Sequence, residues 1–415
     1  PHQRDLEIVV ALALRALQAE DRLSVRSSVS EWETVADLYE KALALDPRLA
    51  IAHARVARLH GSLYWFSHHD PVPARRAKAE AALRAAERHA PDAPETHYTR
   101  GTFEYFCQND WRGALTHYHR ALTQLPNDSG LNAQIAYAHR RLGEWPQVWD
   151  YLQRAHALNP GDMYIAAQMA DYLHHLRQHQ EAVSAGQRVL QQNPTDSMTR
   201  MVLARAQFAL DGDVARFMRE LDAVPAAGSD PERLFSRLMR ALYAQDYALA
   251  DELLQRPQPT AINDLGGIYT QPVSLQRAEV AFLAGRTDAV RHLATAALRE
   301  LADRQVPPRQ ATFARIARAQ ALVFLGKFED ALPELRAASA LALTEDAYAG
   351  PNALREAGKT LIVMQRYDEA LEMLREIMRR PSRLSRHEAQ LDPFWSRLKG
   401  DPRFEEILRT ERPIR

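Results

Sequence analysis

The chain has 415 residues, balances 53 Lys+Arg against 53 Asp+Glu, and is 46% hydrophobic with only 16 glycines. A net charge of zero gives no electrostatic reason to expect nucleic acid or an anionic membrane as partner. The length asks for several domains or for repeats, and the Ala- and Leu-rich, Gly-poor composition favours helix over sheet. A single cysteine, Cys107, excludes an intrachain disulfide and a cysteine-based metal cage.

The first apolar run, IVVALAL (8–14), is closed by Arg15. It is far short of the roughly 20 residues needed to span a bilayer, so no direct membrane insertion is expected of this segment. No signal-peptide pattern precedes it. The chain starts at Pro1, which predicts a piece of a longer protein or a processed form.

From there the sequence is punctuated. Prolines stand at 47, 91, 126, 160 and 194, each just after a helical pattern ends. The last three intervals are 35, 34 and 34 residues (126 − 91, 160 − 126, 194 − 160). The longer first interval holds WFSHHDPVPARR, an expected loop insertion. Proline ends each helix by removing an N–H and disfavouring helix at the preceding residue. Small residues recur at fixed offsets before the prolines: Ala114 and Ala121, Val148 and Ala155, Ala182 and Val189. Gly101, Ala136 and Ala170 recur on the preceding helical stretch, where close helix approach demands small side chains. Tyr98, Tyr105 and Tyr118 fill gaps at helical spacing.

This pattern resembles the tetratricopeptide repeat, a 34-residue helix–turn–helix unit. The best copies are 95–128, 129–162 and 163–196. Degenerate copies follow at AQDYALADELL (244–254), AGRTDAVRHLATA (284–296), GKFEDALPELRAA (326–338) and QRYDEALEMLREI (365–377). The resemblance implies an all-α solenoid, a right-handed superhelix of about ten to twelve antiparallel helix pairs, with a short helical C-terminal cap. The expected organisation is an N-terminal array over 1–221, an irregular bend over 222–274 with one degenerate helix pair, a C-terminal array over 275–380 and the cap over 381–415.

The tail, RRPSRLSRHEAQLDPFWSRLKGDPRFEEIL (379–408), departs from the repeats. Asp392-Pro393 and Asp401-Pro402 read as helix starts and Gly400 as a helix end. Phe394, Trp395, Leu398, Phe404, Ile407 and Leu408 are expected to cover the apolar end of the final helix pair, 349–379. The same string is similar to the closing signature of repeat regions in bacterial signalling proteins, through Leu391, Asp392, Pro393, Phe394, Trp395, Leu398, Asp401, Pro402, Arg403, Phe404, Ile407 and Leu408. That resemblance spans about 31–411. It implies fusion to a Ser/Thr kinase, nucleotide cyclase or winged-helix output domain, and it favours the periplasmic side of a single-pass membrane protein over the cytoplasm.

Chemistry-bearing motifs are few. His175 and His179 are spaced i and i+4, but the turn expected near 177–179 breaks their shared face, so no metal site is assigned. SHHD (67–70) falls in the inserted loop, and GGIY (266–269) is too short to cradle a phosphate. His117 and His119 should lie on different faces of one helix. No nucleophile–base motif occurs, so neither catalysis nor a cofactor is expected of this segment. What remains is the concave surface lined by the first helix of each pair. At its inner offsets stand Thr99, Phe103 and Phe106, then Ala133, Tyr137 and Arg140, then Ala167, Asp171 and His174. Aromatic and arginine side chains are common interface anchors, so these positions are the candidate groove for a protein or peptide ligand.

Overall fold

The computed structural model describes residues 3–20, 23, 28–66, 73–224, 231–255, 271–303, 306–307 and 310–414, apart from the side chains of 3–6, 231 and 232. Among them no strand occurs. SHHD (67–70), GGIY (266–269) and most of the irregular stretch 256–274 lie outside the described residues.

Two compact units divide the chain. The first comprises residues 1–140 and 144–159. It contains α1 (Gln3–Glu20), α2 (Val29–Leu45), α3 (Ala50–Phe66), α4 (Pro73–His89), α5 (Pro94–Phe103), α6 (Trp111–Leu122), most of α7 (Ser129–Leu142) and α8 (Trp145–Leu158). The second comprises 141–143 and 160–415. It contains α9 (Met163–His175), α10 (His179–Gln192), α11 (Ser197–Asp211), α12 (Val214–Asp222), α13 (Pro231–Tyr243), α14 (Tyr247–Gln255), α15 (Val273–Leu283), α16 (Thr287–Asp303), α17 (Ala311–Phe324), α18 (Phe328–Glu345), α19 (Gly350–Val363) and α20 (Tyr367–Met378). After these come α21 (Arg386–Leu391), a 3-10 turn (Trp395–Leu398) and α22 (Pro402–Arg409). The first twenty helices form ten pairs.

Local chemistry sets the helix ends. Asp110, Asp162, Asp196 and Asp213 cap α6, α9, α11 and α12 by accepting from backbone N–H groups of the first turn. The turn inside each pair from α5 onward carries one residue in the left-handed region: Asn109, Gly143, Arg177, Gly212, Gln245, Gly285, Gly326 and Gln365. This residue reverses the chain after the first helix and lets the second pack back on it. The sequence shows glycine at four of these eight turns, so the composition hides half of the signal. Through Arg177 and Gly212 the spacing stays near 34. It is 33 to Gln245 and then 40 to Gly285, an interval that contains 256–270, and it stays long, at 41 and 39, where α16 and α18 run to 17 and 18 residues.

The recurrent alanines are the closest-packed points. Ala114, Ala121, Ala136, Ala155, Ala170 and Ala182 have no exposed surface. Tyr118, equally buried, stands against Gly101, where a Cβ would lie 2.6 Å from its ring. In the second unit one apolar cluster joins Leu335, Leu354, Leu361, Leu371, Leu374 and Ile377 to all six apolar tail residues, Phe394, Trp395, Leu398, Phe404, Ile407 and Leu408. The tail therefore covers α19 and α20. Gly358 makes room for the Trp395 ring, since a Cβ there would lie 2.4 Å from Cη2. Asp401 caps α22, and the Asp392 carboxylate accepts from the Phe394 N–H, starting the 3-10 turn.

Candidate ligand-binding faces

In the first unit, successive first helices share a polar ladder. The Glu20 carboxylate at the end of α1 accepts from Arg55 (3.1 Å) and Arg58 (3.2 Å) of α3 and from the Tyr39 hydroxyl (2.8 Å). Arg58 lies 4.4 Å over the ring of Tyr98 on α5. Burial pushes the Glu20 carboxyl up, but Arg58, Arg55 and Tyr39 together hold it below its ordinary value.

Thr99 and Phe103 of α5, and Phe106 in the turn that follows it, are buried. The Thr99 hydroxyl donates to the Ala54 carbonyl at 3.3 Å. The Phe106 ring sits 5.2 Å from Trp65 and 5.8 Å from Phe66. Tyr137 and Arg140 of α7, also buried, stack with the guanidinium 5.1 Å from the ring. Ala133 and Ala167 are buried as well.

α5 ends in a five-residue π turn, Glu104–Gln108, closed by the Asp110 N–H donating to the Glu104 carbonyl. The turn carries the Glu104 carboxylate to Arg100 (3.0 Å) and near His117 Nε2 (3.7 Å). Burial raises its pKa, opposed by Arg100. His117 meets His97, Nδ1 to Nδ1 at 3.3 Å, whereas His119 faces His139 and Tyr151. The two histidines thus serve opposite faces of α6, and both are held below the ordinary imidazole value chiefly by burial.

The second unit holds a segment of its own chain that is irregular over 382–385 and helical over α21. Asp171 on α9 has no exposed surface and accepts from Arg383 Nε and Nη2, both at 3.0 Å, and from the Tyr348 hydroxyl. Arg205 on α11 donates through Nε (3.1 Å) and Nη2 (3.0 Å) to Glu388, which also accepts from the Tyr243 hydroxyl of α13. Phe282 of α15 stacks on Phe394 at 6.2 Å and 4°. Arg355 of α19 donates to Asp392 at 2.9 Å, with Lys359 at 3.9 Å. Burial would raise the Asp392 carboxyl, but Lys359 and Arg355 hold it below its usual range. Apart from Tyr348, which lies between α18 and α19, the groove-side contacts come from first helices, the face that stacked helix pairs turn inward.

His174 has no exposed surface and faces His179, Nδ1 to Nδ1 at 3.2 Å. Burial, then His179 and Arg205, push its pKa well down. His175 instead pairs its Nδ1 with the Asp171 carbonyl (2.9 Å) and stacks on Tyr348. The turn at Arg177 separates His175 from His179, and no group of three or more metal-ligating side chains occurs among the described residues.

Sequence reasoning reached Asp171 and His174 but missed Arg205, Tyr243, Phe282, Arg355, Lys359 and their tail partners Arg383, Glu388 and Asp392. One signal was present: Arg205 interrupts an apolar stripe with Met201 and Phe208, at helical spacing, and a charge there needs a buried partner.

No helix among the described residues is long and apolar enough to cross a membrane. No protein-family model matches the sequence, and no curated protein matches it significantly. Solved structures do match in fold. A Rap protein complexed with competence and sporulation factor aligns with TM-score 0.50 at 11% identity, over 89% of this chain and 97% of that one. YrrB, a TPR protein with an unusual peptide-binding site, aligns with TM-score 0.35 at 20% identity, over 51% and 99%. PilF of Pseudomonas aeruginosa aligns with TM-score 0.35 at 17% identity, over 61% and 91%. The likeness is one of architecture: this chain is an all-α solenoid of tetratricopeptide-type helix pairs.

Proposed function

We propose that the chain is a non-catalytic module that binds segments of other proteins along the first helices of its repeats. One observation carries this reading. The inner face of the second unit already holds residues 382–394 of its own chain, irregular over 382–385 and helical over α21, with charged and aromatic side chains from α9, α11, α13, α15 and α19. A face able to satisfy a segment of its own chain has the chemistry to satisfy another.

In the first unit the equivalent chemistry is the part-exposed Arg55 and Arg58 with Tyr98, and Thr99, Phe103, Phe106, Tyr137 and Arg140 are buried supports of that face. A ligand with alternating acidic and aromatic residues suits that set. The similarity of the tail to the closing signature of bacterial signalling proteins supports a finer reading, a docking or sensory arm attached to an output domain such as a Ser/Thr kinase.

A peptide library displayed against the full chain tests the binding claim. Peptides carrying acidic and aromatic positions should be enriched, and R58E should lower their affinity at least tenfold. Enrichment of nothing above background, or binding indifferent to R58E and R140E, would remove the reading.

A further inference from the structure

The turn between α9 and α10 clasps both ends of the tail. Arg177 donates to the Arg380 carbonyl (2.7 Å), the Ile377 carbonyl (3.0 Å) and the Ser382 hydroxyl (3.0 Å). The Ser382 N–H donates to the His175 carbonyl, and the Ile414 N–H to the Leu176 carbonyl. Gln178 Nε2 donates to the Ile414 carbonyl at 3.1 Å.

Three imidazoles surround this clasp. His174 and His179 meet Nδ1 to Nδ1 at 3.2 Å, a contact that can be a hydrogen bond only while one of the two nitrogens is unprotonated. His387 of the tail accepts on Nε2 from Arg386 Nε at 3.3 Å, which also requires a neutral ring. Its ring packs against Phe208 and the Gly212 backbone. The charges around them are uneven. His174 faces His179, Arg205, His175 and Asp171. His179 faces His174 and Glu411, its Nε2 3.7 Å from that carboxylate. His387 faces Arg386, Glu411, Asp211 and His179. Asp171 is taken by Arg383, Asp211 by Arg216, and Arg205 by Glu388. Glu411 also faces Arg177 and Arg386. Glu411 therefore stands among two imidazoles, His179 and His387, and two guanidinium groups.

We propose that acid opens this clasp: protonation of His387 breaks its hydrogen bond from Arg386, and protonation of the buried His174 sets it against Arg205, gathering like charge on the α9–α10 turn and on the tail. Residues 381–391 and 409–414 then lift away, while the apolar stretch 394–408 stays anchored on α19 and α20 through Phe394, Trp395 and Phe404. Opening bares Asp171 and Arg205 on the inner face, so the second unit becomes available to another segment under acidic conditions. Burial already holds His174 and His387 below the ordinary imidazole value, which keeps the closed form neutral near pH 7.

Hydrogen exchange of the full chain at about pH 7.5 and pH 5, with labelling times scaled for intrinsic exchange, tests this. Peptides from 381–391 and 409–414 should exchange at least tenfold faster at the lower pH, with 394–408 and α15–α18 unchanged. The H174Q/H179Q/H387Q variant, which lacks these three imidazoles, should show no such difference. H387Q alone should move the midpoint of opening by at least half a pH unit, and it serves if the triple variant does not fold. Acid-insensitive tail protection in the parent, an identical response in the triple variant, or an unmoved midpoint in H387Q would each overturn the proposal.

Discussion

Arg205 and Glu388 are 183 residues apart in sequence, and their side chains form an ion pair with no solvent exposure, closed by two hydrogen bonds at 3.1 and 3.0 Å. Tyr243 completes the Glu388 oxygen at 3.2 Å. Arg355 reaches the same tyrosine hydroxyl and Asp392. Burying these charges carries a large desolvation cost, which only good geometry offsets. Replacing Arg205 with Met should leave the Glu388 carboxylate buried beside one neutral donor and cost about 3–5 kcal/mol. The double variant R205M/E388L should recover much of that loss. Urea unfolding checks both, and a single variant as stable as the parent would mean that the pair is not formed.

Gln365 holds φ at +60°, in the turn between α19 and α20, and its side chain is exposed. A left-handed backbone costs a non-glycine residue roughly 1–2 kcal/mol. Glycine avoids that strain but loses more chain entropy on folding. Gln365→Gly should therefore stabilise the protein by about 0.5–1 kcal/mol. A fall in melting temperature would show that the side chain contributes more than the strain it carries.

His60 is 2% exposed, and neither ring nitrogen has a hydrogen-bond partner. Burial, with Lys78 and Arg75 adding repulsion, pushes its pKa down to about 4. The unfolded imidazole titrates near 6.5. The stability that depends on a neutral His60 is therefore complete above about pH 6.5 and is lost as pH falls towards 4. His60→Leu should be more stable than the parent at pH 5 and should move the acid unfolding midpoint downward. Identical acid profiles for the two proteins would contradict this.

The aromatic tail behaves, on this geometry, as part of the core. Trp395 and Phe404 have no exposed surface and share one cluster with Leu371, Leu374 and Ile377. Deleting 391–415 should lower the melting temperature and promote association, because it uncovers a continuous apolar face on α19 and α20. Static light scattering alongside thermal unfolding reads both effects. A truncated protein as monodisperse and as stable as the parent would show that the tail is dispensable to the core.

Much of the architecture is local and so was legible. Proline spacing and the recurrent small residues report on neighbours within one repeat, and together they yield the helix pairs over 95–196. The Asp-Pro pairs and six apolar residues of the tail likewise announced a covered end. The repeat located the turns, but the left-handed backbone at Asn109, Arg177, Gln245 and Gln365 was not legible, because such a residue that is not glycine leaves no compositional mark. The partners of Asp171, Arg205 and Arg355 were hidden for a different reason. Each pairs with a tail residue, Asp171 and Arg205 at separations of 212 and 183 residues and Arg355 at 37, and periodicity carries no record of which distant charge meets which. The sequence by itself determined that this chain stacks helix pairs and covers their end, since those are short-range packing demands. Only the tertiary structure decided that the tail also runs along the inner face of the second unit, because burying a charge requires a specific opposite charge, and that pairing exists only once the chain has folded back on itself.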